Sequence, residues 1–315
     1  MKNNIGLKNN VLKLKAPAKI NLHLEILGDR NDGFHELSMM MQSIDLYDIL
    51  SFEEFSENNI VFNSDSKMIT NTDDNLIIKA AKLLKKYCNV LDKGIKIDLK
   101  KCIPIGAGLA GGSADAAATL IGCNKVWELG LSIKELEILS AQLGSDIPFC
   151  LKGGRQLCFG RGEILEQLET YNKNLAIILV KDRNLSISTP WAYKEYKKKY
   201  RLNYLTNEVE FEYRRFNLRN FDFNKIINKD GYSIRNDLQC IVTKEYKQIE
   251  TTIKFLRNLP NSIDSSMSGS GPSCFALFED INYAKETYNN NLKEFDDLNL
   301  DAWCCSLLNN GVKSL

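Results

Sequence analysis

The chain reads as an α+β fold, and three observations carry that reading. Segments with the two-residue alternation of strands and segments with helical stripes both occur along the 315 residues. They do not follow the strict strand–helix–strand order of a parallel sheet. No internal repeat is present, which removes solenoids and propellers. The length suits one large domain or two ordinary ones.

In order, residues 11–15 and 20–27 are expected strands. In the second, Ile20, Leu22, Leu24 and Ile26 alternate with Asn21, His23 and Glu25, and Lys19 shares the polar parity. Residues 28–33 are turn formers. Residues 39–50 are expected to be a strand pair. Asp73 or Asp74 is placed to cap a helix with the stripe Leu76, Ala80, Leu83, Tyr87. Ile95, Ile97 and Leu99 alternate as a strand. A glycine-rich loop follows, then a helix with Ala116, Leu120, Cys123 and Trp127 on one face. Ser132 and Glu135 form a capping box for a helix carrying Leu136, Leu139 and Leu143, with Gly144 as its stop. Asp146 sits just past that stop, before Pro148. Residues 175–180 read as a buried strand. Residues 193–220 are dense in Lys, Arg and Tyr without a clear period, and read as a solvated surface. A helix-rich stretch, a small loop at 268–271 and a strand at 274–278 complete the pass.

Composition removes several function classes. Net charge is +1, so no global field recruits nucleic acid or an anionic membrane. The nine cysteines include no C-x-x-C pair, which favours reduced thiols, and two histidines make a His-based zinc site improbable. The polar N-terminus lacks a signal core, and no apolar run is long enough to span a membrane.

The loop Gly106-Ala107-Gly108-Leu109-Ala110-Gly111 matches G-x-G-x-x-G, but its context excludes a dinucleotide fold. That fold needs a second strand ending in an acidic residue about 20 residues on, where this chain has the capped helix. No Gly-Lys-Ser/Thr makes it a Walker loop, and V-A-I-K and H-R-D are absent. The physics of the loop remains. Four glycines (106, 108, 111, 112) let the backbone bend and approach a ligand, and the helix behind adds free N–H groups. That combination suits phosphate.

Three segments in order then point to a family. They are Ala16-Pro17-Ala18-Lys19-Ile20-Asn21-Leu22, Pro104-Ile105-Gly106-Ala107-Gly108-Leu109-Ala110-Gly111-Gly112-Ser113-Ala114, and Ser268-Gly269-Ser270-Gly271. Together they resemble the signatures of the galactokinase, homoserine kinase, mevalonate kinase and phosphomevalonate kinase (GHMP) superfamily. Asp32-Gly33-Phe34-His35, Asp74-Asn75-Leu76, Leu143-Gly144-Ser145-Asp146-Ile147-Pro148 and Ser188-Thr189-Pro190 look closest to its members that phosphorylate a cytidine-diphosphate-linked methylerythritol. The resemblance implies two lobes, one like the second domain of ribosomal protein S5 (1–168, binding ATP) and one ferredoxin-like (169–315). It implies ATP and Mg²⁺, and phosphorylation of the substrate's 2-hydroxyl in the non-mevalonate route to isoprenoid precursors. It also implies a cytoplasmic enzyme, bacterial or plastid, acting as a monomer or weak homodimer. A mevalonate- or homoserine-type kinase, a related decarboxylase and a non-catalytic binding protein stay open at this point.

By the same resemblance, Lys19 and Asp146 would be catalytic, Asp146 deprotonating or orienting the hydroxyl. The loop from Pro104 to Ala114 would cradle the ATP phosphates, and Asn75, Leu76 and Lys101 would approach the adenine. Phe34 and His35 would form the cytidine pocket, with Tyr193 as the second stacking aromatic and Asn21, Arg161 and Thr189 as further contacts. Phe34 departs from the Tyr that many relatives carry. It keeps the stacking face and loses the hydroxyl.

Overall fold

The computed structural model describes residues 11–169 and 174–315. The elements run β1 (Leu12–Asp29), β2 (His35–Phe55), β3 (Ile60–Ser64), α1 (Leu76–Tyr87), β4 (Gly94–Lys100), α2 (Gly111–Val126), α3 (Ile133–Ser140), α4 (Ile147–Lys152), β5 (Arg155–Gly160) and β6 (Ile164–Gln167). They continue with β7 (Ala176–Asp182), α5 (Thr189–Tyr200), α6 (Glu208–Arg219), α7 (Asn224–Ile227), β8 (Arg235–Asn236), α8 (Gln239–Glu245), α9 (Lys247–Arg257) and β9 (Asp264–Met267). The last are β10 (Cys274–Phe278), α10 (Ile281–Asn290), α11 (Leu292–Asp297), β11 (Leu300–Ser306) and β12 (Lys313–Ser314).

Among the described residues these strands make two sheets. One has eight strands in the order β12-β1-β2-β4-β3, with β5 and then β6 against β2 and β8 against β1; the other has four, in the order β11-β7-β10-β9. β1 and β2 form one long antiparallel hairpin from Leu12↔Phe52 to Asp29↔His35. The break expected between residues 15 and 20 is a register shift between Pro17 and Lys19 within a continuous strand. Proline has no N–H for the ladder, so the irregularity falls there. β2 is likewise unbroken through 39–50. It changes partner instead, pairing with β5 over Leu37–Gln42 and with β4 from Ile49 onward.

α1 is capped by Asn75, whose side chain accepts from Ile77 N at 2.9 Å, and not by either aspartate. Asp73 and Asp74 pair with Lys82 and Lys79 on the surface. Its buried face is Ile77, Ala80, Ala81 and Leu84, one position round from the expected stripe. The rotation turns Leu76 toward the cavity described below. The Ser132–Glu135 capping box forms as expected, and α3 ends at Ser140, before Gly144. α2 is buried on every side from Ala114 to Cys123, between the first sheet and α1, α3 and α4. Its run of alanines permits that close packing. Residues 193–220, read as solvated surface, hold the last two turns of α5 and all of α6; the two helices bury only Ala192, just before this stretch, and Leu218. All nine cysteines are free.

Candidate active site

A cavity of about 900 Å³ is lined by β1 and β2, the glycine loop, the start of α2, α5 and the loop at 268–271. Apart from Ala114, which is buried inside α2, every site residue expected from the sequence lines it. β1 carries Lys19 and Asn21 into it. Alternation would turn both toward the same face of the strand, and the bulge just before Lys19 sets the approach. Lys19 is 5% exposed, and its ammonium donates to Asn21 Oδ1 at 2.8 Å. Asp146 comes from the opposite side, as the N-cap residue of α4. Its Oδ2 lies 3.7 Å from Lys19 Nζ, and its side chain keeps about a third of its exposure. The pair is therefore a held cation beside an accessible carboxylate.

The glycine loop forms the next wall. Gly106 and Gly108 have φ +63° and +74°, and Ala110, the N-cap of α2, has φ +55° with no side-chain cap bond. The first N–H groups of a helix four turns long thus face the cavity with the positive end of its dipole. The small loop at 268–271 presses on this one. Ser268 Oγ donates to Gly108 O at 3.1 Å, Ser273 N to Ala107 O at 3.4 Å, and a Cβ on Gly108 would lie 2.3 Å from Ser268 O. Lys19 N donates to Leu109 O at 3.1 Å, tying the loop to β1.

Lys101 lines the same wall, but its ammonium is engaged. It lies 2.5 Å from Asp48 Oδ2 and 2.7 Å from Asp115 Oδ2, all three being buried. Asp48 Oδ1 also accepts from Cys102 N and Ile103 N, just before the glycine loop. Burial and the neighbouring Asp48 push the Asp115 carboxyl well up, against the pull of Lys101. Burial disfavours the Lys101 ammonium, and the two aspartates more than restore it. Removing the cation leaves two neighbouring buried carboxylates without a counter-charge. Lys101→Met is expected to lose about 3–5 kcal/mol of stability, read by denaturant unfolding. A loss under about 1 kcal/mol would show that the trio behaves as a surface pair.

At the other end, His35 begins β2 and Phe34 precedes it in the turn. Phe34 is 47% exposed, with the Arg161 guanidinium 5.1 Å from its ring centre. Arg161 also donates to Ala141 O at 2.7 Å. The His35 ring lies 5.1 Å from that of Tyr193 and edge-on to Tyr204. Burial lowers the imidazole's affinity for a proton; Asp29 opposes this and Lys197 adds to it. Thr189 Oγ1 and Ser270 Oγ are 2.7 Å apart, linking α5 to the small loop.

The sequence reading missed Lys194 and Lys197, which also line the cavity. Their signal was Ser188-Thr189-Pro190, a cap and an early proline that start a helix, which sets Thr189, Tyr193 and Lys197 four residues apart on one face. It missed Ser145 beside Asp146 as well.

The family described as GHMP kinases N terminal domain matches residues 75–154, and GHMP kinases C terminal matches residues 217–297. A protein of Prochlorococcus marinus strain NATL2A named 4-diphosphocytidyl-2-C-methyl-D-erythritol kinase is 51% identical, over 95% of this chain and 94% of its own. One of the same name from strain MIT 9303 is 48% identical, over 96% and 95%. The crystal structure of a 4-(cytidine 5'-diphospho)-2C-methyl-D-erythritol kinase superposes with a TM-score of 0.72 at 26% identity, covering 94% of this chain and 99% of that one. Identity of this order over nearly the whole length, on the same two-lobed fold, means that the chain belongs to the 4-diphosphocytidyl-2-C-methyl-D-erythritol kinase family of the GHMP kinases.

Proposed function

We propose that the enzyme transfers the γ-phosphate of ATP to the 2-hydroxyl of 4-diphosphocytidyl-2-C-methyl-D-erythritol. The observation that carries this is that one cavity is lined by the glycine loop, by Lys19 and Asp146 3.7 Å apart, and by the aromatic groups Phe34, His35 and Tyr193. The loop and the N-terminus of α2 hold the ATP phosphates, with Asn75, Leu76 and Lys101 nearer the adenine. Asp146 takes the proton of the hydroxyl as its oxygen attacks the γ-phosphorus and ADP leaves. Lys19, fixed by Asn21, stands 3.7 Å from that carboxylate and offsets charge on the moving phosphoryl group. Phe34 and Tyr193 flank the cytosine, and main-chain groups around His35 read its edge. Arg161, Asn21 and Thr189 complete the substrate contacts. Lys194, which has no ion pair among the described residues, faces the substrate's diphosphate.

Magnesium fits this donor set only as an ion that arrives on the nucleotide. Among the described residues no three His, Cys, Asp or Glu side chains cluster to hold a metal. Magnesium keeps waters and phosphate oxygens, and Ser113, on the wall beside the glycine loop, would be the residue to join its shell. When bound, it neutralises charge on the phosphates.

We divide the chain at residue 168, because the main strands of the first sheet precede it and the four-stranded sheet follows. β8 and β12 return from the second part to pair with β1. Among the described residues no helix is long and apolar enough to cross a membrane. With bacterial relatives, this supports a cytoplasmic enzyme.

The test compares cytidine- and uridine-linked methylerythritol by ADP release, with wild type and Phe34→Ala. A pocket that hydrogen-bonds a base edge leaves groups unpaired with the wrong base, so the uridine analogue should lose about 10²-fold or more in kcat/KM. Removing one stacking face is worth about 0.5–1.5 kcal/mol beyond area burial. Phe34→Ala should therefore raise KM for the cytidylated alcohol several-fold and leave KM for ATP unchanged. Equal use of both analogues by wild type would contradict the pocket.

A further inference from the structure

We infer that Asp29 is a positioning residue for the base-binding end of the cavity: it staples the segment running from Lys197 to Thr206 onto the β1–β2 turn and so fixes the wall behind His35. The inference rests on the cytidine reading of that end. Asp29 is the last residue of β1, and His35, its partner in register, is the first of β2. Its carboxylate gathers three groups. Lys197 Nζ, from α5, lies 2.8 Å from Oδ1, and Arg201 Nε, just beyond α5, lies 3.5 Å from Oδ2. His35 Nε2 lies 3.9 Å from Oδ1, buried and without a hydrogen bond.

The backbone on either side is built for the same approach. Leu205 N donates to Leu27 O at 2.8 Å, so the segment crosses the end of β1 as a strap. A Cβ on Gly28 would lie 2.7 Å from Leu205 O and 3.2 Å from the Phe211 ring, so the close crossing needs glycine there. The strap then delivers Tyr204, whose ring stands edge-on to His35 with centroids 5.9 Å apart. Tyr193, on α5, covers the other side at 5.1 Å.

Asp29 therefore does two things that an ordinary surface pair does not. It neutralises Lys197, which lines the cavity beside His35, and it joins the two ends of a wall made from distant parts of the chain. Without its charge, Lys197 is left uncompensated next to the base site, and the strap keeps only its Leu205 hydrogen bond at this crossing. The groups facing His35 are Asp29 from β1, Lys197 and Tyr193 from α5, and Tyr204 from the strap, with Arg201 reaching it through Asp29. Asp29 raises the proton affinity of His35 and Lys197 lowers it, so loss of the carboxylate moves the His35 titration further down.

The test uses the full chain and the variants Asp29→Asn, Asp29→Glu and Gly28→Ala. The last displaces the strap with no change of charge. A charge-assisted bond to the wall is lost in Asp29→Asn, so KM for the cytidylated alcohol should rise roughly tenfold. Its kcat and its KM for ATP should stay within about twofold, near the resolution of such comparisons. Asp29→Glu should recover most of the loss, and Gly28→Ala should raise the same KM. In parallel, NMR follows the His35 ring through a pH titration in a His23→Gln background, the chain having two histidines. Asp29→Asn should titrate lower than its parent. An unchanged KM for the cytidylated alcohol, or equal losses for both substrates and kcat, overturns the inference. If wild type does not use the cytidylated alcohol at all, the substrate reading falls. The NMR arm then still decides the staple, and an unmoved His35 titration overturns it.

Discussion

Asp146→Asn is expected to lower kcat by about 10²–10⁴-fold, the usual worth of a positioned general base. The protein should stay folded and bind ATP with little change. Asparagine has nearly the same shape, and the Asp146 side chain makes no cap bond to α4, so the helix loses no hydrogen bond by the exchange. What disappears is the only carboxylate the structure sets against the buried Lys19 ammonium among the described residues, at 3.7 Å. Lys19 keeps its bond to Asn21 in the variant, so its position is retained. The effect therefore falls on the chemical step. Single-turnover kinetics with a thermal melt check this. A loss below tenfold in a folded variant would remove Asp146 from proton transfer.

Gly108→Ala should damage ATP binding most among single-methyl changes in the loop. Gly108 holds φ +74°, which costs any L side chain about 1–2 kcal/mol. In addition, its new methyl would stand 2.3 Å from Ser268 O and 3.1 Å from Gly271 N. Backbone cannot swing away as a side chain can, so the two loops must part. KM for ATP should rise at least about tenfold, equivalent to roughly 1.4 kcal/mol, and the KM for the alcohol should change far less. Gly130→Ala is the control. It has φ +70° with no atom within 4 Å of the added Cβ, and lies outside the cavity. It should lower Tm by a few degrees through backbone strain alone and leave both KM values in place. If the two variants behave alike, the contact between the loops is not what holds the phosphates.

These residues were legible to different degrees, for physical reasons. The glycine loop announces itself because a phosphate cradle needs glycines at short spacing before a helix. β4, β7 and β10 show clear apolar patterns because they are buried. β1 and β2 were cut in two on paper because a proline and a change of partner interrupt the pattern without ending the strand. The stripe of α1 was read one position off because Leu76 serves the cavity and not the core. α5 and α6 carried almost no period, since each buries a single residue and a helix with so small a core face has no stripe to show. That is why Lys194 and Lys197 were missed while Tyr193 was found by resemblance. Asp146 was placed past the stop of α3 with no helix assigned after it, although Asp before Ile-Pro is also a helix start, and α4 begins there. Nothing in spacing brings Lys19 to Asp146. The pairing came from family signatures, and the packing of α4 against α2 and β1 is its physical cause.

The central claim is phosphoryl transfer to the cytidylated alcohol. ADP release by the purified chain, with 4-diphosphocytidyl-2-C-methyl-D-erythritol, mevalonate and homoserine offered in parallel with Mg-ATP, tests it most directly. Turnover is expected with the first and no more than background ATP hydrolysis with the others, because neither carries the base for which the pocket of Phe34, His35 and Tyr193 is proposed. Comparable kcat/KM for mevalonate or homoserine, or no turnover of the cytidylated alcohol by a folded enzyme that binds ATP, would contradict it.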